Sequence, residues 1–386
     1  MIFSAKSKII KALFAIAFGG LFFGACKKET TPNNSSQNQN FPVVPNGPGL
    51  SGATALILFN GNLVAANNDN VSQWDGSKWN VIGSGLIGVA TALTVYNGNL
   101  VAAGQTTNQG GFVELWNGSS WQMLGSVFDG SVNALTVYNG NLIAGGQFDT
   151  NRLGVANKIA EWNGAKWLPI ADSGMQIWSS GINALTVYNG NLIMAGSFGY
   201  YGKYTASNIA VFNGSTWSSL GAGLNATIYS LSTYNGNLVV GGSFDEIIGT
   251  DTAKNIAQWN GSNWTTVGAS KIGTPAYPNQ GTVVLSLTDY NNNLIAGGSF
   301  FSIGSAGTYG LAEYNGSFWL SPFGLIAEYA IGENMPGEPF LYPAPDVIYS
   351  SIVYNGNLIV SGSFNSAGGV AASCIAQWNG SSWSAL

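Results

Sequence analysis

Outside its regular segments, the chain contains several acidic side chains, and these are its most numerous potentially reactive groups there. The chain contains no histidine, and Arg152 is its only arginine. Two carboxylates at a suitable separation can act as the acid and the base that hydrolyse a glycosidic bond. A pair of carboxylates is therefore the catalytic arrangement that remains possible with these residue types. The irregular segments contain the acids Asp245, Glu246, Asp251, Glu328, Glu333, Glu338 and Asp346.

Other catalytic devices lack their residues. Without histidine there is no histidine-ligated copper or zinc site and no Ser-His-Asp or Cys-His nucleophile. A single arginine cannot form a multi-arginine clamp for a carboxylate substrate. The acids themselves show no distinctive motif. We therefore expect a protein that is not an enzyme and that needs no cofactor.

Three of the acids, Asp245, Glu246 and Asp251, are close enough in sequence to supply oxygen ligands to a hard cation such as Ca²⁺. Their spacing, Asp-Glu-x-x-Gly-x-Asp, does not match the EF-hand loop. A solvated acidic loop is the favoured interpretation, so no metal site is predicted.

Aromatic residues that no regular pattern explains share these irregular segments. Exposed rings beside acids suit sugars, whose apolar faces stack on rings, and they also suit a peptide or a partner protein. The alternative is that these rings cap the core beneath long loops. The candidate ligand-binding residues are Trp178, Tyr200, Tyr201, Tyr204, Tyr277, Phe301, Tyr329 and Tyr342.

Two repeated motifs define the elements that must position these residues. The first is an aromatic residue followed by Asn-Gly-Asn-Leu, with Asn in place of Gly in one copy, and the second is an aromatic residue followed by Asn-Gly or Asp-Gly and, three residues later, Trp. Two hairpin signals in each regularly repeated unit are typical of a β-propeller. The sequence predicts an all-β, seven-bladed, kelch-like β-propeller with four antiparallel strands, A to D, in each blade. The first motif starts at Phe59, Tyr96, Tyr138, Tyr188, Tyr234, Tyr290 and Tyr354, and the second at Trp74, Trp116, Trp162, Phe212, Trp259, Tyr314 and Trp378.

The connections between the predicted strands fall on two faces of the propeller. Asn-Gly turns join strand A to B and strand C to D, and both kinds of turn lie on one side, which we call face two. The B–C and D–A connections then lie on the opposite side, face one, which carries all the variation in loop length. Variable loops on a rigid scaffold usually carry binding, so we place the candidate ligand-binding residues on face one.

The expected domain organisation is a signal peptide at residues 1–25, a disordered polar tether at 26–52 and the propeller at 53–386. Unit one opens with strand A and unit seven ends with strand D, so we expect the ring to close by packing rather than by strand exchange. The predicted blades span approximately residues 53–83, 90–125, 132–171, 182–221, 228–268, 283–322 and 347–386.

Tryptophan is mostly a repeat residue. Of 13 tryptophans, seven occupy the start of strand D and five lie on strand C. A ring at the same place in every blade most simply packs between neighbouring sheets or covers an outer strand. Trp178 is the exception, because it lies between the third and fourth units and has no counterpart.

The N-terminal segment has the features of a secretory signal. Lys6, Lys8 and Lys11 precede an apolar stretch at residues 12–25 that is shorter than the ~20 residues of a membrane-spanning helix. The tetrapeptide Phe23-Gly24-Ala25-Cys26 resembles a bacterial lipobox, so we expect a lipid anchor at Cys26 that attaches the protein to a bilayer. The alternative is an ordinary signal peptide with an incidental cysteine. The other cysteine, Cys374, is expected to be a half-buried, unpaired thiol.

The charge balance argues against nucleic acid as a partner. From Ala53 onward the chain carries 7 lysine and arginine residues against 16 aspartate and glutamate residues, a net charge of about −9. Nucleic-acid binding needs a basic surface that neutralises phosphates.

The repeat also carries a family resemblance. The segment Asn-Ile-Ala-x-Phe-Asn-Gly-Ser-x-Trp-x-x-Leu-Gly-x-Gly at residues 208–223 resembles the repeats of bacterial surface propellers and of the Rax2-type cortical marker domain of fungi. The glycine doublets Gly145-Gly146, Gly241-Gly242 and Gly297-Gly298 are similar to those of kelch and galactose-oxidase-like propellers. Copper oxidase chemistry is not implied, because its histidine ligands are missing. In the nearer relatives the resemblance implies surface recognition or cell-envelope organisation.

Together these features predict a monomeric, lipid-anchored propeller at the bacterial outer membrane or cell surface. We expect it to bind an unknown extracellular ligand, a glycan, a peptide or a partner protein, through face one without catalysis. Two alternatives stay open: a carbohydrate-active enzyme that uses paired face-one carboxylates, and a structural envelope protein without a specific ligand.

Overall fold

Seven four-stranded antiparallel sheets form the molecule, and each has its strands in the order A, B, C, D. The all-β, seven-bladed propeller predicted from the repeats is therefore confirmed. Across the described residues no helix has the length and apolar character needed to cross a bilayer. The computed structural model describes residues 52–67, 70–149, 157–170, 176–201, 206–249, 253–268, 272–273, 282–300, 302–303, 306–324, 327–330, 342–345 and 347–386.

The blades differ mainly in the lengths of their inner strands. The strands of blades one to four, in the order A to D, are β1 Ala55–Phe59, β2 Asn62–Ala66, β3 Val71–Trp74 and β4 Trp79–Val81; β5 Gly88–Tyr96, β6 Asn99–Thr106, β7 Gly111–Trp116 and β8 Trp121–Met123; β9 Val132–Tyr138, β10 Asn141–Gly146, β11 Ile159–Trp162 and β12 Trp167–Pro169; β13 Gln176–Tyr188, β14 Asn191–Tyr201, β15 Ser207–Phe212 and β16 Trp217–Ser219.

The part of the chain that forms blades five to seven also contains seven short strands that lie outside the four-stranded sheets. The blade strands are β17 Ile228–Tyr234, β18 Asn237–Gly242, β19 Ile256–Trp259 and β20 Trp264–Thr266; β22 Val283–Tyr290, β23 Asn293–Ser299, β26 Leu311–Tyr314 and β27 Trp319–Leu320; β30 Val347–Tyr354, β31 Asn357–Ser363, β34 Ile375–Trp378 and β35 Trp383–Ala385. The short strands are β21 Ile272–Gly273, β24 Ser302–Ile303, β25 Ala306–Gly307, β28 Ala327–Ala330, β29 Tyr342–Pro345, β32 Ser366–Ala367 and β33 Val370–Ala371.

The A–B turns have the backbone geometry that Asn-Gly favours. In blade five, φ is +49° at Asn235 and +77° at Gly236, as a type I′ turn requires at both central positions. All seven A–B turns have positive φ at both residues, including the Asn291-Asn292 turn at +53° and +63°. The turn chemistry therefore fixes the register of the inner hairpin in every blade.

The C–D turns are built differently from the A–B turns, although both contain Asn-Gly. Only the glycine has positive φ, for example +97° at Gly261. The side-chain oxygen of Asn260 accepts hydrogen bonds from the amides of Ser262 and Asn263 at 2.9 and 2.8 Å. The same two bonds recur in all seven blades, with Asp75 in place of asparagine in blade one. The side chain thus replaces a backbone acceptor in closing the turn.

The core lies between the blades. Seven clusters of buried apolar residues each combine side chains of two neighbouring blades, and one of them joins blade seven to blade one. That last cluster contains Ala53 and Leu63 of the first blade and Ile359 and Ile375 of the last. No strand is exchanged between those two sheets in the described residues. The first and last blades therefore pack on each other as predicted; residues 41–50, where a strand that intervenes at this seam is the alternative, lie outside the described residues.

The strand D tryptophans of blades two to seven each connect their blade to the one before it. The indole Nε1 of Trp264 donates a 2.7 Å hydrogen bond to the carbonyl of Leu220 in blade four. Equivalent bonds are made by Trp121, Trp167, Trp217, Trp319 and Trp383. Each of these rings also packs against the aromatic residue opposite it on strand C, with centroids 5.0 to 5.5 Å apart. The scaffold role predicted for the repeated rings is confirmed.

Cys374 is fully buried in blade seven, at the positive-φ position that Asn208 and Asn255 occupy in blades four and five. It takes part in a disulfide bond. The expectation of a half-buried, unpaired thiol is therefore wrong. The other cysteine of the chain, Cys26, lies outside the described residues.

Candidate functional site: face one and the mouth of the central channel

Additional strands are confined to one side of the propeller. The short strands all lie in B–C or D–A connections, which the strand order places on face one. They form a three-stranded sheet of β21, β24 and β25 and two hairpins, β28–β29 and β32–β33. They belong to the connections that follow or lie within blades five to seven. Face one is therefore built up on one half of the ring.

Blade four extends toward face one through its inner hairpin. Strands β13 and β14 run past the ordinary blade, so that Trp178 is paired with Gly199, Ile177 with Tyr200, and Gln176 with Tyr201. The sequence interpretation treated residues 171–181 as a loop, and this is wrong for 176–181, which are part of the strand. Pairing of the two strands brings the backbones of three candidate ligand-binding residues, Trp178, Tyr200 and Tyr201, into one ladder.

Two further candidates share the β28–β29 hairpin. Tyr329 is paired with Pro343, and Ala330 with Tyr342. The hairpin contacts β32 in the B–C connection of blade seven. Tyr204, Tyr277, Phe301, Asp251 and Cys26 lie outside the described residues.

The acidic loop of blade five is held by an asparagine. Asn225 donates from its side-chain amide to a carboxylate oxygen of Asp245, and its own side-chain oxygen accepts from the amides of Asp245 and Glu246 at 3.1 and 3.2 Å. Both acids are exposed. Within the described ranges no three His, Cys, Asp or Glu side chains are grouped so that they could hold a metal ion. The contacts show that Asp245 orders its own loop.

A feature that sequence reasoning missed surrounds the face-one end of the central channel. In blades two to seven, strand A contains an extra residue five positions before its conserved aromatic, where the register with strand B shifts. A bulge of this kind redirects the side chain of the extra residue. The bulged residues are Thr91, Asn133, Asn183, Tyr229, Leu285 and Tyr349, and Thr54 has the same place in blade one; we call these seven residues the mouth ring.

The bulges explain the glycines that close strand B. A Cβ atom added to Gly146 would lie 2.0 Å from the carbonyl oxygen of Ser131, and one added to Gly242 would lie 2.2 Å from that of Thr227. These distances are far below any van der Waals contact, so only glycine fits beside the bulge. The second glycine of each doublet is thus required by the bulge that forms the mouth ring.

On blades one to four the mouth ring is polar and connects neighbouring blades. The Thr54 hydroxyl donates to the carbonyl of Ala90 at 3.0 Å, and Thr91 donates to that of Val132 at 3.1 Å. The amides of Asn133 and Asn183 donate to the carbonyls of Ile182 and Ile228 at 3.2 and 3.1 Å. These four bonds hold the inner strands of blades one to five together.

On blades five to seven the same positions are Tyr229, Leu285 and Tyr349. All three are partly exposed, whereas Ile228, Val284 and Ile348 directly before them are fully buried. Burial raises the pKa of the Tyr229 phenol, which is hydrogen-bonded to the side chain of Thr227. The mouth-ring position lies five residues before the conserved aromatic of the first motif. An alignment of the seven repeats would have shown the change from Thr and Asn to Tyr and Leu at this position.

The described charges on face one are few and mostly negative. Its connections contain the carboxylates Asp129, Asp149, Asp245, Glu246 and Glu328 against the lysines Lys158 and Lys254. Lys158 is committed to a 2.7 Å ion pair with Asp149. A mouth with aromatic and aliphatic groups on one side and neutral polar groups on the other, on a face whose described charges are mostly negative, can bind a neutral or weakly cationic ligand by stacking and hydrogen bonding.

Comparison with solved structures supports the fold. The chain is similar to two structures of the extracellular domain of a protein of B. thetaiotaomicron described as a hybrid two component or a one component system. Sequence identity is 11% in both cases, and the TM-scores are 0.54 and 0.53. The matches cover 82% and 83% of this chain but 37% and 39% of those domains. The chain therefore spans about two fifths of their length. No family model and no curated protein matches the sequence.

Proposed function

We propose that this protein is a non-catalytic binding module of the cell envelope, which presents face one to a ligand outside the cytoplasm. One observation carries the proposal: the scaffold is uniform on face two and is elaborated on face one only. Extra strands and an extended hairpin are built on rigid, well-packed blades, and this is how binding surfaces are usually constructed. The kelch-like repeat type fits the glycine doublets, and we expect the protein to act as a monomer.

The non-catalytic assignment rests on the chemistry of the available groups. The chain has no histidine and one arginine, and Asp245 is engaged by Asn225 within its loop. Glu246 is exposed, Glu328 lies on β28, and the remaining candidate acids, Asp251, Glu333, Glu338 and Asp346, lie outside the described residues. A carbohydrate-active enzyme that uses two of these carboxylates is the competing function. Turnover of a glycan that is abolished by a single Asp→Asn or Glu→Gln substitution on face one would establish that competitor.

The location outside the cytoplasm is proposed from two features. The N-terminal segment has a basic region, an apolar stretch and Cys26 in a lipobox-like context. Two solved structures with a similar fold, at 11% sequence identity, are extracellular domains. We infer that Cys26 is lipid-modified and that it anchors the propeller to the outer membrane or cell surface.

The anchor has a direct test. Cells are labelled metabolically with a fatty-acid analogue, and the wild type is compared with Cys26→Ser and with Cys374→Ser. Lipidation consumes the Cys26 sulfur, so an acylated Cys26 excludes a disulfide with Cys374, the other cysteine of the chain, and the label reports which of the two bonds this sulfur makes. We expect label in the wild type and in Cys374→Ser but none in Cys26→Ser. Label that survives in Cys26→Ser would refute the anchor.

The binding function is tested with the purified full chain on arrays of defined oligosaccharides and peptides. The matched variants are Trp178→Ala with Tyr201→Ala on the face-one hairpin and Phe318→Ala, an exposed ring on a face-two turn. We expect binding that the face-one pair weakens by about tenfold or more and that Phe318→Ala leaves unchanged. Equal binding by both variants would contradict the use of these face-one aromatics.

A further inference from the structure

The mouth ring has two chemically different halves. Blades one to four carry small polar side chains that bind the main chain of the next blade. Blades five to seven carry two tyrosines and a leucine at the same backbone position. Leu285 has no donor, so the side-chain bond to the next blade is absent there. Threonine or asparagine makes the bond to the next blade at the equivalent positions, so that bond alone does not explain why blades five to seven carry tyrosine or leucine.

The three residues lie at a surface rather than in the core. Each is partly exposed although the residue before it has 0% exposure. The short strands of face one also belong to the connections of blades five to seven. The apolar half of the mouth ring and the extra strands thus share one side of the propeller. Two independent features of the fold mark the same half of the same face.

The polar half keeps hydrogen-bonding capacity. A hydroxyl that donates its proton still has lone pairs to accept a bond, which applies to Thr54 and Thr91. The amide of Asn183 donates through Nδ2 and leaves its oxygen as an acceptor. These oxygens can accept hydrogen bonds from donors such as alcohol hydroxyls. No charged residue belongs to the mouth ring, and the described charges of the face-one connections are five carboxylates and two lysines, a balance that disfavours an anionic ligand.

We propose that the mouth ring binds a neutral sugar residue of a glycan. A sugar ring has a C–H face and a rim of hydroxyl groups, and these two sides match the Tyr229, Leu285, Tyr349 half and the Thr and Asn half of the mouth ring. The inference rests on the proposed function, because it assigns a subsite and a ligand class to face one.

The test replaces the apolar half by the residue type of the polar half. The triple variant Tyr229→Asn, Leu285→Asn, Tyr349→Asn carries the side chain that blades three and four have at this position, so it is expected to fold, and thermal unfolding verifies this. Tyr229→Phe keeps the ring without the hydroxyl. Thr265→Ala, on the outer strand of blade five, is the control. The full chain and its variants are applied to neutral oligosaccharides and to their sialylated, sulfated and uronic acid counterparts.

We expect the wild type, Tyr229→Phe and Thr265→Ala to bind neutral glycans and the triple variant to bind them at least about tenfold more weakly. Retained glycan binding by a folded triple variant would overturn the mouth assignment and leave the proposed function standing. Binding of acidic glycans alone would overturn the ligand class. Binding of peptides but no glycan would also overturn it, whereas the absence of any ligand on either array would count against the proposed function itself.

Discussion

The indole nitrogen of Trp264 lies 2.7 Å from the carbonyl oxygen of Leu220, a residue of the preceding blade that is 44 positions earlier in the chain. Trp79 occupies the equivalent place in blade one, but its buried Nε1 has no hydrogen-bond partner among the described residues. It packs at the seam between the first and last blades, in the cluster that includes Leu386. The strand D tryptophan therefore occurs in this protein both with its interblade hydrogen bond, as at Trp264, and without it, as at Trp79.

Replacement of these tryptophans by phenylalanine should separate hydrogen bonding from packing. Trp264→Phe loses a 2.7 Å bond, Trp217→Phe loses a long 3.5 Å bond, and Trp79→Phe loses none. We expect Trp264→Phe to lower the free energy of unfolding by about 1 kcal/mol more than Trp79→Phe. Urea denaturation of the three variants provides the measurement. If Trp217→Phe, whose ring is the most buried at 1% exposure, were the most damaging, packing would dominate instead.

The glycine doublet allows a second matched comparison. A Cβ on Gly146 would meet the backbone oxygen of Ser131 at 2.0 Å, whereas one on Gly145 would meet the Ile182 side chain at 2.7 Å. Blades two and four already have alanine, Ala103 and Ala195, at the position of Gly145. We expect Gly146→Ala to cost about 3 kcal/mol or more and Gly145→Ala much less. Similar unfolding midpoints for the two variants would show that the bulge can relax.

Glu114 should make stability depend on pH. Its side chain is buried at 3% exposure and accepts a 3.3 Å bond from the amide of Ile87. Burial raises the pKa of this carboxyl, so folding favours the protonated form. Stability is then fully present in acid and falls as the pH rises above about 4.5, the ordinary value, through the folded-state value. We expect Glu114→Gln to remove this fall, seen as a higher unfolding midpoint at pH 7 than the wild type but not at pH 4.

Glu246→Gln is the control for that measurement, because Glu246 is exposed. It should follow the pH profile of the wild type. A Glu114→Gln profile parallel to the wild type over the whole range would show that the Glu114 carboxylate is tolerated without cost.

Asp75 should act in the opposite direction. The Asn80 side chain, the Lys78 amide and the hydroxyl and amide of Ser77 all donate to this carboxylate, which holds its pKa well below the ordinary value. A lowered pKa stabilises the fold above about pH 3.8, the ordinary value, and this contribution is lost as the pH falls toward the folded-state value. Asp75→Asn matches the other six C–D turns and should remove this acid sensitivity. The unfolding midpoints of the wild type and of Asp75→Asn are measured as the pH is lowered. Parallel curves for the two proteins would show that the Asp75 carboxylate does not contribute to acid sensitivity.

The blades were predictable because their signals are local. Asn235-Gly236 specifies its turn through the φ values of two adjacent residues, and the pair Trp259 and Trp264 is only a short loop apart. The candidate site was predictable in part. Face one follows from strand direction, but the strand pairing of Trp178 with Gly199 was missed, because residues 176–181 show no repeat pattern and were interpreted as a loop.

The sequence by itself determined the number of blades, the chemistry of their turns and the scaffold role of all but one tryptophan, since each depends on residues close along the chain. Only the tertiary structure decided which residues meet around the axis. The contact between Thr91 and the carbonyl of Val132 spans 41 positions, and that between Asn133 and Ile182 spans 49. A bulge adds one residue without changing composition or period, so its redirected side chain becomes visible only when seven inner strands close into a ring.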